Sequence, residues 1–395
     1  DAQTPAGNLI LVGPSRLTQE MGVDLSSLTG DSFLLRDAPG RLVLAGNDAR
    51  LLPTDPYHLA KRGTDNAVSA FLQDVCGVRW FMPSELFEVL PETSSITVPE
   101  CDDVHKPTFD CRLFSGLDGN AQGAWSRHMR QSGNSLEVPY MAGFRHWLYA
   151  IYPPSKYAES DPDIYPMLNG ERVKPTTDAQ PGWQPCTGNP RTVEIGIQHI
   201  REYFDAHPEV DSFSLGMDDI SHLCGCENCR AWDPSPDSLE KRELSDRHYH
   251  FVNLIAREVA KTHPDRYIGT LIYNIARNLP RNVDMLEPNV FGFITETSAL
   301  WWQEGRKQAD HDLTREWAKR CRHISRYDYY GMGTMTPRVY PHAIDEQIKF
   351  DKSLGVEGMY IEVYTFLPNT APMIYATARL QVDHTLDVDD LLWDF

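Results

Sequence analysis

Apolar positions along this 395-residue chain change period from segment to segment, and each period predicts an element. Residues 8–15, NLILVGPS, form a continuous apolar run closed by Gly-Pro, the pattern of a buried strand ending in a turn. Residues 31–48, DSFLLRDAPGRLVLAGND, set two apolar runs around Asp-Ala-Pro-Gly and predict a hairpin. Ala67, Ala70, Phe71 and Val75 then recur at helical spacing, Gly77 sits where a helix would end, and VRWFMP follows as a short strand. Strands with one helix predict a small α/β domain over residues 1–104. The proline- and charge-rich stretch 99–109 reads as the linker to a second domain, 105–395.

Beyond it, short apolar runs alternate with amphipathic patterns. The strand-like runs are 111–117, 145–151, 183–186, 213–219, 267–274, 289–297, 323–333 and 356–364. Val193, Ile197, Ile200 and Phe204 mark one helix, which stops at a proline. Tyr249, Val252, Ile255 and Val259 mark another, with Ser245 as its expected N-cap. Eight strands alternating with helices predict a (β/α)8 barrel of the TIM type behind the N-terminal domain. Neither a fixed-period repeat nor a low-complexity tract interrupts the pattern. The terminal LDVDDLLWDF is spaced like a helix cut in mid-course, which leaves room for the native chain to continue.

Composition narrows the partners. Apolar residues make up 41% and charged residues 24%, as in an ordinary globular enzyme. No apolar run approaches the roughly 20 residues needed to cross a bilayer. With 37 basic against 56 acidic residues, the net charge of −19 repels phosphate backbones, so nucleic acid is not an expected partner. The 41 aromatic residues (9 Trp, 17 Tyr, 15 Phe) fit a large core, and some would suit a sugar-stacking surface. The absence of an initial Met and the eight cysteines point to an exported, processed protein.

In such a barrel the chemistry sits at the C-terminal ends of the strands. Read there, the chain offers Asp218 and Asp219, then Tyr273 and Asn274, then Glu296 with Trp301 beyond it. Tyr327 and Asp328 follow, then Glu362 and Tyr364, and His146 and Trp147 lie on the second run. Carboxylates and tyrosines converging on one mouth are what glycoside hydrolysis needs: one acid protonates the leaving oxygen while another group attacks or stabilises the anomeric carbon. Two adjacent acids also oppose each other's ionisation, which keeps one protonated near neutrality. The plainer reading of any one of these acids is a helix cap, a role open to Asp219. Cys224, Cys226 and Cys229, with Cys186 on a neighbouring run, suit either a structural zinc or disulfides, and no cofactor is expected for catalysis. His248 and His250 lie two apart on a predicted helix and face different sides, so they make no metal pair.

The string GVRWFMPSELFEVLP resembles the close of the small domain that precedes catalytic barrels in hexosaminidases and α-glucuronidases. The succession RHWLYAIYPPSKYAESDPDIYPMLNGERV, WQPCTGNP and SLGMDDISHLCGCENC is more specific. It is similar to bacterial proteins carrying the domain of unknown function 4838, some of which are classed as glycoside hydrolase family 163, endo-β-N-acetylglucosaminidases of complex N-glycans. SDRHYHFVNLIAREVAKTHPDRYIGTLIYN and GVEGMYIEVY continue the match. The resemblance implies a retaining, endo-acting glycosidase of amino-sugar glycans, with Asp219 at the family's acid position. Asp218 and the residues after Asp219, Ile220, Ser221 and His222, depart from the family's Asn-Asp-glycine pattern. By analogy with substrate-assisted β-hexosaminidases, Asp218 would orient the substrate acetamide and Asp219 would protonate the leaving group, with Glu362 and then Glu296 as competing acids. Two alternatives stand beside this one. An exo-glycosidase of uronic acids would use Arg145, Arg277 and Arg338 to hold a carboxylate, and a glycan-binding barrel would have lost the chemistry.

Overall fold

The structure, a computed structural model, describes residues 7–48, 62–117, 119–132, 144–208, 210–219, 223–331, 338–364 and 370–395. Strands β1 (Leu9–Val12), β2 (Phe33–Ala38) and β3 (Arg41–Gly46) form at the start, with helix α1 (Gly63–Ala70) and strand β4 (Asp102–His105) completing a four-stranded sheet in the order β1-β3-β2-β4. The hairpin turns where the sequence predicts, with Ala38 opposite Arg41 and Gly40 at φ 74°. Two expectations change. Among the described residues β1 is an edge strand paired with β3, and its Ile10 and Val12 are exposed. The stretch read as a linker contributes β4, which pairs antiparallel with β2 from Phe33↔His105 to Arg36↔Asp102. Its acidic side chains face solvent, the usual protection of a sheet edge, so charge density there marked an edge strand rather than an open tether.

Ala67, Ala70 and Phe71 pack on Phe33, Leu35, Leu42 and Leu44 of the sheet. The helix runs on as a single π-turn over Phe71–Val75 and stops at Gly77, whose φ of 75° only glycine adopts without strain. Next comes β5 (Cys111–Ser115), where Arg112 is wholly buried. Its guanidinium reaches Asp31 at 2.6 Å and the carbonyls of Phe109 and Arg130 at 2.6 and 2.9 Å.

Two compact units divide the chain. One comprises Asp1–Val138, Tyr329–Lys352 and Met359–Phe395, and the other Pro139–Asp328 and Ser353–Gly358. The second unit is built from α2 (Pro190–Ala206), β6 (Ser212–Ser214), α3 (Ser245–Ala260), β7 (Tyr267–Ile272), β8 (Val290–Thr295), α4 (Arg306–Arg320) and β9 (His323–Tyr330) as far as Asp328. Strands β6, β7, β8 and β9 are hydrogen-bonded in that order, each parallel to the next. Every residue of β8 is buried, as expected of a parallel strand covered on both faces. On α3, Tyr249, Val252, Ile255 and Val259 are all wholly buried, and α2 meets this helix at Gly196, within van der Waals reach of Ile255. The result is a curled parallel sheet with alternating helices, half of a barrel in strand count and compatible with a TIM-like fold.

Among the described residues, two of the eight expected strands do not form. Leu148–Ile151 is a 3-10 turn, and its buried Leu148 and Ile151 follow the period of three of that turn rather than the alternation of a strand. Residues 184–186 form no strand, in keeping with Pro185, which cannot donate to a ladder. β6 is only three residues long, and Ser245 lies inside the first turn of α3, with no side-chain cap bond. The remaining elements, α5 (Pro341–Ser353), β10 (Gly358–Val363), α6 (Ala371–Val382) and α7 (Val388–Asp394), return the chain to the first unit, where β10 lies beside β5. The closing helix forms as its spacing predicts, capped by Asp387. No helix among the described residues is long and apolar enough to cross a membrane.

Two stability predictions follow from buried polar groups. Replacing Arg112 by Met leaves the Asp31 carboxylate without its ion-pair partner, and a loss of about 3–5 kcal/mol in denaturant unfolding is expected. His248 is buried on α3 against the Thr270 hydroxyl at 2.8 Å, and burial lowers its pKa to about 4. The unfolded chain therefore binds the proton first, so stability falls as pH drops from about 6.5 to about 4 and levels off below. That loss should approach about 3 kcal/mol, and His248→Gln should flatten it in acid unfolding curves.

Candidate active site

Parallel register sets the strand ends level. Ile272 of β7 stands beside Ile294 of β8, and Thr295 beside Tyr327 of β9, so Tyr273, Glu296 and Tyr327 emerge along one edge of the sheet. The extension of β6 reaches that edge through a tight crossing at Gly216. A Cβ there would lie 2.4 Å from the Arg145 carbonyl oxygen and 2.6 Å from that of Phe144, so only glycine fits. Across this crossing, Gly216 bridges His146, the Trp147 amide donates to the Gly216 carbonyl, and the Ser214 hydroxyl donates to the Arg145 carbonyl. His146 Nδ1 lies within hydrogen-bond distance of the Met217 carbonyl, which orients the ring.

Immediately beyond, the two aspartates part company. Asp218 is buried at 4% exposure and bound from three directions. Its carboxylate accepts the Gly182 amide at 2.5 Å and the Asp219 amide at 3.2 Å, while its carbonyl accepts the Gln184 side-chain amide at 3.3 Å. Asp219 faces solvent, and its carboxylate accepts the Tyr273 hydroxyl at 2.9 Å. Beside Tyr273, Asn274 is exposed with φ 49°, a left-handed conformation that asparagine tolerates better than most residues.

Glu296 is half-buried and paired with Arg277 Nε, and the Arg277 carbonyl accepts the Trp317 indole at 3.0 Å. Asp328 lies wholly inside, accepting the Ser298 amide at 3.2 Å and its hydroxyl, so it anchors the turn after β8. Tyr327 is half-buried with its ring 6.0 Å from Phe144. Trp301 is tied by its indole to Asp310 at 3.0 Å, whereas its neighbour Trp302 is 69% exposed. The Arg145 guanidinium lies 4.2 Å over the Trp147 ring. Glu362 and Tyr364 belong to the first unit, where Glu362 is the half-buried polar position of β10 and Tyr364 is exposed, its ring 6.0 Å from Tyr329. Gly182, Gln184 and Trp302 were not expected from sequence. Pro185 was the available sign that 183–186 is a loop, and the Trp-Trp pair was the sign for Trp302.

Below the aspartate loop, Cys186, Cys224, Cys226 and Cys229 are all buried, with their sulfurs within 4.8 Å of one another. None of the eight cysteines is joined in a disulfide. The Cys186 sulfur lies 3.5 Å from Cys226 and 3.6 Å from Cys229, well beyond the roughly 2.05 Å of a disulfide. Crowding splits their acidities: a hydrogen bond from Cys229 pulls Cys226 down to about 6, and one shared with Cys224 pushes Cys186 up to about 12.

The sequence matches, over residues 82–395, the family described as a domain of unknown function, DUF4838. The chain belongs to the DUF4838 family. No curated protein matches it at a significant level. Solved structures similar to it include a glycoside hydrolase family 5 enzyme from Prevotella bryantii B14, at 11% identity and TM-score 0.31, covering 48% of this chain and 63% of that one. A family 89 glycoside hydrolase from Clostridium perfringens, in complex with PUGNAc, aligns over 92% of this chain at 11% identity and TM-score 0.44. A sugar phosphate isomerase/epimerase from Parabacteroides distasonis aligns over 50% at 12% identity and TM-score 0.29. This DUF4838 chain spans 63% of the family 5 enzyme and 46% of the family 89 enzyme. At such scores no residue role is carried across from them.

The crossing at Gly216 generates a test. Gly216→Ala must push apart the 144–147 and 214–217 segments, and a loss of about 1–3 kcal/mol is expected in thermal or denaturant unfolding. Equal stability of the two proteins would show that the crossing is looser than drawn.

Proposed function

We propose that this DUF4838 chain is the catalytic core of a retaining, endo-acting glycoside hydrolase of N-acetylglucosamine-containing glycans, built on a TIM-like barrel behind its N-terminal domain. The observation that carries the reading is the division of labour in the aspartate pair: Asp218 is buried and fastened by backbone amides, while Asp219 is exposed and oriented by Tyr273. A carboxyl held by a phenol at a solvent-facing strand end is placed to exchange a proton with a glycosidic oxygen. Asp218, fully bonded, sets the geometry of the loop that presents it. The substrate's own acetamide would then supply the nucleophile, and Tyr273, Asn274, His146 and Trp302 would line the sugar site. The resemblance of the chain to family 163 endo-β-N-acetylglucosaminidases favours an amino-sugar substrate, although the residues around Asp219 depart from that family's pattern.

The uronic-acid reading is less well supported, since the cations it calls on are already engaged. Arg277 pairs with Glu296, and Arg145 covers the Trp147 ring. Glu362 remains the competing acid.

A panel of N-glycans, chitooligosaccharides and glucuronides, with the products analysed for size and anomer, tests the whole reading. Release of amino-sugar fragments with retained configuration is expected. Asp219→Asn should lower kcat by about 10²–10⁴-fold, and Tyr273→Phe by about tenfold, with little change in stability. Wild-type rates in Asp219→Asn together with an inactive Glu362→Gln would transfer the acid role to Glu362. No product from any glycan would favour a binding barrel.

A further inference from the structure

We infer that Cys186, Cys224, Cys226 and Cys229 form a closed tetrathiolate site for one zinc ion, and that the ion holds in place the strap that locks Asp218. This inference is independent of the glycosidase reading. Four sulfurs that share one centre at the usual Zn–S length of about 2.3 Å stand about 3.8 Å apart. Here two separations are 3.5 and 3.6 Å and all four sulfurs fall within 4.8 Å, so the cluster already has the dimensions of a tetrahedron around an ion. Paired disulfides would instead bring sulfurs together two by two.

The surroundings are those of thiolates rather than thiols. The Met167 and Gly188 amides point at Cys224 and Cys229 Sγ, each at 3.3 Å, and the Arg172 guanidinium lies 3.7 Å from Cys224. Such N–H donors and a cation offset the charge left when four thiolates bind a dication. Gly188 is there of necessity: a Cβ would stand 2.5 Å from the Cys229 amide nitrogen, so only glycine lets its N–H approach the sulfur. All four cysteines are at most 7% exposed, and four sulfur ligands leave no open position, so the ion would be structural and inert to substrate.

The mechanical consequence lies in the residues before Cys186. Gly182 and Gln184, which hold Asp218, sit four and two residues upstream of a ligand. Cys186 is also hydrogen-bonded through its amide to Ile164 at 2.7 Å, so the strap is pinned at its downstream end by backbone and ion together. Cys224 sits on the far side of the aspartate loop, with its carbonyl held by Arg247 at 2.7 Å. Zinc thereby closes a ring of chain around the two aspartates.

The test uses the intact chain purified without added metal and without added reductant. Elemental analysis should give one zinc per chain, with four thiols protected until a mercurial reagent releases the ion. Cobalt(II) exchanged into the site should show the intense visible bands of a tetrahedral tetrathiolate. Arg172→Gln, a partly exposed position, should fold and bind zinc about 10–100-fold more weakly. Stripping the ion should speed amide exchange in 182–188 and 216–219. Four freely reactive thiols in a metal-free chain, or an intact mass lower by four hydrogens from two disulfides, would overturn the site. One zinc whose removal leaves exchange at 216–219 unchanged would overturn its link to Asp218.

Discussion

A carboxylate taken out of water must be met by donors, and the architecture around Asp218 is organised by that requirement. β6 is too short to bring its own partners, so the donors come from a separate loop, through Gly182 and Gln184. For the loop to arrive, the crossing at Gly216 has to be close and the downstream segment has to be fastened beside the cysteines. Remove the buried acid and the strap has less reason to sit where it does. Remove the strap and, among the described residues, the acid keeps the short-range bond from the Asp219 amide.

The same arrangement separates two residues that look equivalent in sequence. Adjacent aspartates invite a picture of two acids sharing one task. The backbone turns between them, so one points inward to amides and the other outward to Tyr273. The difference arises beyond the strand, where residues 212–218 are all buried and Asp219 is the first to reach solvent. The inward residue shapes the loop, and the outward one is left available for chemistry.

Much of this was legible beforehand. The hairpin at Asp-Ala-Pro-Gly, the apolar stripes of α2 and α3, the strands β7, β8 and β9, and the cysteine cluster all follow from period, turn chemistry and spacing. Failures occurred where an apolar run was too short for its period to be read. Leu148 and Ile151 were counted toward a strand although their separation suited a 3-10 turn, and Pro185 argued against a strand in 183–186. For the site, residue types at strand ends pointed to Asp218, Asp219, Tyr273 and Glu296, which the structure places near one edge of the sheet. Sequence could not say which would be buried. The inward placement of Asp328 and the pairing of Arg277 with Glu296 depend on contacts between distant segments, which no local pattern encodes.

The cysteine cluster also bears on how the second unit is assembled. Cys186 and Cys226 are 40 residues apart, and α2 and β6 lie between them. Their sulfurs can meet only once that helix and strand have docked, so closure is a late, non-local event carrying the entropy of a long loop. Until then the thiols are separate, and Cys224, Cys226 and Cys229 are near one another only through local chain. The cluster therefore works as a marker of completed folding: protection of all four sulfurs together reports that the aspartate loop has reached its native position.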